Sequence, residues 1–304
     1  MLTFITSPKP FRGHIGVIQR NAIQSWKRVH PDAEVILFGE EEGTEEAARE
    51  LGVRYQPDVR RNAFGTPYLA SILDGARELT RNPLLCYINC DIILLSDFRA
   101  ALEQAVAQQS NFLMAGQRWD TDITEPLDFS ASNWQAELRR RALAADSQRA
   151  PRWIDYFVFS RDLYAQKTPP LVIGRAGFDN WMMWYARSVG VLVIDASPVV
   201  MAIHQNHNYA HHPEGEQGVY DGGEAQENFS HMQGGRYATL ENATHRLTPG
   251  GLRPNYFHWV VLARRKASGG LSSAWFALLG LTRPLRHRVG IRARTVRKIQ
   301  SANK

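Results

Sequence analysis

Cysteine is nearly absent from this 304-residue chain: Cys86 and Cys90 are the only two, which excludes a disulfide scaffold. Four residues apart in one apolar run, they fall on the same face of a strand and are poorly placed to pair, so a reducing compartment is expected. No apolar run reaches the length needed to span a bilayer. The opening MLTFITS is too short for a signal-peptide core and has no charged leader, so a cytoplasmic protein is expected. Acidic side chains are missing from one region only. Between Asn242 and Lys304 there is no Asp or Glu but thirteen Arg and Lys, so the formal charge of +6 combines a body with 23 basic and 30 acidic residues and a strongly basic tail. No nucleic-acid motif accompanies that charge, and no nucleic-acid partner is expected. What is present is a 44% hydrophobic content, enough to bury a sizeable core as one large α/β domain or a domain with an appendage.

Strand and helix signals alternate from the first residue, the pattern of a parallel sheet covered by helices on both faces. LTFIT (2–6) predicts a strand, Ile15 to Val29 a helix with an apolar stripe of Ile15, Ile18, Ala22, Ile23 and Trp26, and EVILFG a second strand. Thr44 and Gly52 bracket a short helix as cap and terminator. VRYQPDV returns as a strand, and Thr66-Pro67 reads as the cap and first position of a helix reaching about Thr80. A strand in YINCDIILL, a helix over SDFRAALEQAVAQQ and a strand in NFLMAGQRW follow. Residues 120–150 read as an inserted lid with a helical, Arg-rich part. WIDYFVFS and VLVIDAS are strands either side of an aromatic-rich helix, and 213–235, rich in Gly, Glu and Gln, reads as a mobile loop.

YINCDIILL carries the most information, because an apolar strand buried on both faces ends on Asn89 and Asp91. In an open α/β sheet ligands sit beyond the carboxyl ends of the strands, where a carboxylate is well placed to hold a divalent cation. The spacing resembles the Asp-x-Asp signature of metal-dependent GT-A glycosyltransferases, with Asn89 at the first Asp. SPKPF, RNAFGTP, YINCDIIL, GQRWD, IDYFVF, GRAGFDNWM, IHQNHNY and ATHRL come in an order similar to that of nucleotide-diphospho-sugar transferase-like proteins, over roughly residues 1–248. The resemblance implies a Rossmann-like GT-A fold with a mainly parallel central sheet, a UDP-sugar or similarly activated donor, and Mn²⁺ or Mg²⁺ at the Asp-x-Asp position.

Within that frame Asp91 is the expected direct metal ligand. Asn89, uncharged, is expected to complete the group through a ribose hydroxyl or a metal-bound water. The resemblance points to a late histidine as a further ligand, His204 first and His207 second, with His211 and His212 on a solvated loop. An ordinary hydrogen-bonded cleft histidine is the plain alternative for any of them. Asp179, in GFDNW, is either an N-cap or, as the resemblance favours, the general base that an inverting transferase needs. Asp155 is the runner-up base, an acid in an apolar strand that demands a partner. Thr6, Ser7 and Pro8 are expected to line the base and ribose. Lys9 and Arg12 offer charge to the phosphates, and Arg61 and Asn62 contact phosphate oxygens and a base or sugar edge. Trp119, Asp120 and Arg175 are assigned to the acceptor, with Asp122 an alternative loop carboxylate.

The chain therefore reads as a GT-A domain over 1–248, with a donor half (1–118) and an acceptor half (119–248), followed by a basic amphipathic tail (249–304). The expected activity is transfer of a sugar from a nucleotide-diphosphate donor to a hydroxyl of a glycan or lipid-linked saccharide. Within the tail, SSAWFALLGL precedes an Arg-rich stretch, so residues 270–304 could attach to an anionic membrane surface on the inner face. A solvated helix packed on the body is the competing reading. Rival functions are a sugar-phosphate nucleotidyltransferase, for which SPKPFRG has too few glycines, a metal-dependent phosphoesterase, and a catalytically inactive sugar- or membrane-binding protein.

Overall fold

The computed structural model describes residues 1–208 and 213–256. The expected basic tail from residue 257 onward and the His211-His212 pair lie outside the described residues. Strand β1 (Leu2–Thr6) leads into α1 (Gly13–Val29), β2 (Glu34–Phe38), α2 (Thr44–Leu51), β3 (Arg54–Gln56), α3 (Leu69–Leu79) and β4 (Leu84–Ile88). Then come β5 (Ile92–Ile93), α4 (Ser96–Gln108), β6 (Phe112–Thr121), α5 (Trp134–Ala144), β7 (Ile154–Ser160), α6 (Phe178–Ser188), β8 (Leu192–Asp195) and β9 (Ala202–Gln205). Helices α7 (Gly215–Asp221) and α8 (Gly223–Ser230) and the hairpin β10 (His245–Thr248) and β11 (Gly251–Pro254) complete the described part.

The main sheet runs β11-β10-β8-β6-β7-β4-β1-β2-β3. Strands β3, β2, β1 and β4 are mutually parallel, the order of a Rossmann-like half. β7 is inserted antiparallel between β4 and β6, and β6, β8 and β10 are again parallel. The expected α/β class, a mainly parallel sheet with helices on its faces, is what the chain adopts. Period-two alternation splits each strand between two cores. In β4, Leu84, Cys86 and Ile88 face the core that holds Trp26 and Phe98, while Leu85 and Tyr87 face the one that holds Ile72 and Met182. Each large side chain withdrawn from water in this way contributes about 1.5–3 kcal/mol.

β6 is long enough to serve two sheets. Its first half pairs with β7 and β8, the register shifts between Ala115 and Gln117, and its second half pairs with β9, which in turn pairs with β5. A small third core of Ile93, Leu95, Ile123, Leu138, Met201 and Ile203 lies against this corner. It is the corner that carries the site.

Four local expectations differ from the structure. Thr66-Pro67 does not open α3, which is preceded by Tyr68. The Asn62 side chain accepts from the Phe64 and Thr66 N–H groups and closes a turn there instead. The segment 213–235 is not a loop but largely α7 and α8. These two helices meet at Gly222, where a Cβ would collide with the Gly218 carbonyl. The first compact unit runs to Asn255, past the expected end at 248, because β11 pairs back on β10. The expected division at 118/119 falls inside β6.

Candidate metal and donor site

A cavity of about 340 Å³ opens beyond the carboxyl ends of β1 and β4, where the strand order reverses. The Ser7 to Pro10 loop forms one wall, Asn89 to Asp91 the floor, and Gly174 to Ala176, Phe178 and Asp179 the far side. Gln19 of α1 fixes the loop: the Lys9 N–H donates to its Oε1 (2.6 Å) and its Nε2 donates back to the Lys9 carbonyl (2.8 Å). Gln205 fixes the floor, donating from Nε2 to the Asp91 carbonyl (3.2 Å) and to Ile18 O (2.7 Å) while its Oε1 accepts from Asn21. Both amides are buried and use their oxygen and nitrogen alike, so the backbone around Lys9 and Asp91 is held on two sides.

Asp91, His204 and His207 converge, each offering a ligand atom within 4.8 Å of the others. His207 Nε2 lies 3.1 Å and His204 Nε2 4.0 Å from Asp91 Oδ2. His207 Nδ1 donates to Asn208 O (2.7 Å), so in the neutral ring Nε2 bears the lone pair, which accepts from Lys9 Nζ at 3.1 Å. In that tautomer Nε2 and a carboxylate oxygen face each other as two acceptors, whereas in the doubly protonated ring Nε2 donates to Asp91 Oδ2. The second oxygen, Asp91 Oδ1, is buried with no hydrogen-bond partner among the described residues. Burial opposes ionisation of Asp91, but His207, His204 and Lys9 hold its carboxyl far below the usual range. A carboxylate with an orphaned oxygen and two imidazoles is a mixed oxygen and nitrogen donor set that fits a transition-metal dication such as Mn²⁺ better than the oxygen-seeking Mg²⁺. Burial pushes the Lys9 ammonium down, against the pull of Asp91.

Behind this group runs a buried polar chain. Asn89 Nδ2 donates to Asp155 Oδ1 (2.6 Å), and Arg118 donates to Asp155 Oδ2 (3.0 Å) and Asp120 Oδ1 (2.9 Å). Arg149 takes the other Asp120 oxygen. Burial would raise the Asp120 carboxyl, but His204, Arg118 and Arg149 keep it at about 2. Asn89 lines the cavity with its Nδ2 turned toward Asp155, and His207, the second choice, joins Asp91 and His204. Asp155 has the partners its burial demands, and an acid already shared by Arg118 and Asn89 is poorly placed to serve as a base.

Other expected residues fall elsewhere. Ser7, Pro8 and Lys9 line the cavity, but Thr6 is buried and bonded to Cys90. Arg12 is exposed and paired with Glu42. Arg61 and Asn62 do not line it: Arg61 pairs with Glu41 (2.8 Å), and Asn62 donates to Glu224 (2.6 Å). Glu41 does line it, with Oε2 buried and unpartnered among the described residues. Trp119 packs on the third core, because alternation along β6 sends Arg118 and Asp120 to the cleft and Trp119 to the opposite face. Arg175 lines the cavity, bound to Glu224 (2.7 Å). Asp122 accepts from Asn206 (2.7 Å).

Asp179 is not the N-cap of α6, a position held by Gly177, but sits in the first turn and half-lines the cavity. Burial pushes its carboxyl up to about 7, against hydrogen bonds from the backbone N–H groups of that turn and with a further push from Asp155. The aromatic wall is made by Trp153, with Arg118 over its ring at 4.9 Å and Tyr220 edge-on at 5.4 Å. Neither aromatic stands out in the sequence, since Trp153 precedes a strand and Tyr220 falls in a segment that reads as loop.

No family model and no curated protein matches this chain. It is similar to solved structures of glucosyl-3-phosphoglycerate synthase from Mycobacterium tuberculosis. The complex of that enzyme with Mn²⁺, UDP and phosphoglyceric acid matches at 15% identity and TM-score 0.42, over 68% of this chain and 71% of that one. A second structure of it matches at 11% identity and TM-score 0.45, over 76% and 78%. TarS from S. aureus with UDP-GlcNAc matches at 8% identity and TM-score 0.45, over 68% of this chain and 59% of that one. At such identities the functional reading rests on the residues of this chain alone.

Proposed function

We propose that the chain is a metal-dependent glycosyltransferase that moves a sugar from a nucleotide-diphosphate donor to a hydroxyl acceptor. The observation that carries this reading is the convergence of Asp91, His204 and His207, beside Lys9, in one cavity at the switch point of the sheet. Asp91, His204 and His207 would hold a divalent cation, which would supply positive charge to the diphosphate leaving group. Lys9 adds an ammonium beside Asp91 and His207. The Ser7 to Pro10 loop and Glu41 line the base end, and a carboxylate acceptor there suits the N–H of a uracil, which supports UDP as the nucleotide. Trp153, which lines the cavity, is the proposed aromatic contact for the sugar.

Asp179 is the proposed base for the acceptor hydroxyl, a role that would go with inversion at the anomeric carbon. An ordinary aspartate is too weak a base for this, but one raised to about 7 is matched to it. Asp179 and Asp91 line the same cavity, the first with no basic partner among the described residues and the second beside His207, His204 and Lys9. Environments that push two carboxyls apart mark the acid–base division of labour. A saccharide or lipid-linked saccharide is the acceptor class proposed. The test is UDP release over a panel of sugar nucleotides with Mn²⁺: one donor turns over, and Asp91→Ala lowers the rate at least about 100-fold. Full activity in Asp91→Ala would defeat the reading.

A further inference from the structure

Asp120 faces His204 across strands. The two are register partners in the parallel pairing of β6 with β9, and His204 also pairs with Ile92 of β5, so its backbone is fixed from both sides. Its Nδ1 lies 3.3 Å from Asp120 Oδ1, and its Nε2 is directed to Asp91. The approach has ion-pair length rather than the direction of an ideal hydrogen bond, and Nδ1 has no better partner among the described residues. Asp120 is itself immobilised, with Arg118 on Oδ1 and Arg149 on Oδ2. A neutral imidazole carries one proton. On Nε2 that proton would occupy the lone pair a cation needs.

We propose that Asp120 is a positioning residue for the cation site, accepting from the Nδ1–H of His204 so that the Nε2 lone pair stays on the side of the Asp91 carboxylate. This rests on the metal reading given above. It assigns Asp120 to the layer behind a ligand, where carboxylates commonly orient metal-binding histidines, rather than to the acceptor. Arg118 and Arg149 then have a defined role: by claiming the remaining lone pairs they stop the carboxylate from rotating away. The competing account makes Asp120 only the counter-ion of those two arginines, acting on a cation through space or not at all.

The full chain is titrated with Mn²⁺ by calorimetry in the parent, Asp120→Ala, Asp120→Asn, His204→Ala and the double variants. Asp120→Ala is expected to weaken Mn²⁺ about 10- to 100-fold. Asp120→Asn, which keeps the shape and one acceptor oxygen, is expected to lie between it and the parent. On the His204→Ala background neither substitution is expected to weaken Mn²⁺ further, because a residue that acts through another is silent once that one is gone. Unchanged affinity in both Asp120 variants would overturn the proposal, as would an undiminished loss on the His204→Ala background. If Asp120→Ala does not fold, the Asn cycle decides alone. A parent that binds no Mn²⁺ would remove the metal reading itself, a distinguishable result.

Discussion

At the residue scale, the raised carboxyl of Asp179 makes the most exposed prediction. Its folded-state value is about 7 against 3.8 for the ordinary group, so between those values the folded protein binds more protons than the unfolded chain. The stability it contributes is full below pH 3.8 and is lost as pH rises through 7. Asp179→Asn is therefore expected to melt like the parent at pH 4 and higher than it at pH 8, and calorimetric melts at the two values check this. Turnover should do the reverse: it rises with pH to an inflection near 7 and is lost in the variant. A flat profile would remove Asp179 as base. Lys9 makes a second prediction. Lys9→Met should weaken UDP binding about 10-fold or more, the worth of a charged hydrogen bond, as titration would show. Asp91 and His204 were legible in the sequence because each ends an apolar strand with a polar group. Position alone does not say which way a side chain turns: Asp155, distant in sequence, holds the Nδ2 of Asn89.

At the scale of elements, α8 shows what composition conceals. Gly, Glu and Gln between 213 and 235 read as loop, yet Asn228 ties α8 to the cleft wall. It donates to the carbonyls of Val172 (3.0 Å) and Ala176 (3.2 Å) and accepts from the Val172 N–H (2.9 Å). Glu224 adds Asn62 and Arg175; burial opposes its ionisation, but Thr66, Asn62 and Arg175 hold its carboxyl down. These partners lie far away in the chain, so no local pattern announces them. Asn228→Ala leaves buried backbone groups unpaired and should cost about 1–3 kcal/mol, read as a lower melting temperature. An unchanged melt would mean that α8 is held otherwise. The helices α1, α2 and α4 were easier to read, since Ile18, Ala22 and Trp26 repeat at helical spacing and Gly52 adopts the left-handed terminator conformation, φ 61°.

At the scale of the molecule, the alternation of strands and helices was enough to give the parallel half and its switch point, and hence where a ligand would sit. It was not enough to give β6, whose register shift carries one strand into two sheets and brings Arg118 and Asp120 under the metal group. A basic tail belongs to this scale too. If residues 270–304 bind anionic lipid, with each basic side chain worth about 1 kcal/mol, their deletion should abolish co-sedimentation with phosphatidylserine vesicles, and unchanged binding would contradict that proposal. The central claim is that one cavity takes a nucleotide diphosphate and a divalent cation together. Calorimetric titration of the parent with UDP, in Mn²⁺ and again in excess chelator, tests it most directly. The account predicts tight binding in Mn²⁺ that weakens at least about 10-fold without it. Equal affinity in both, or none in either, would contradict it.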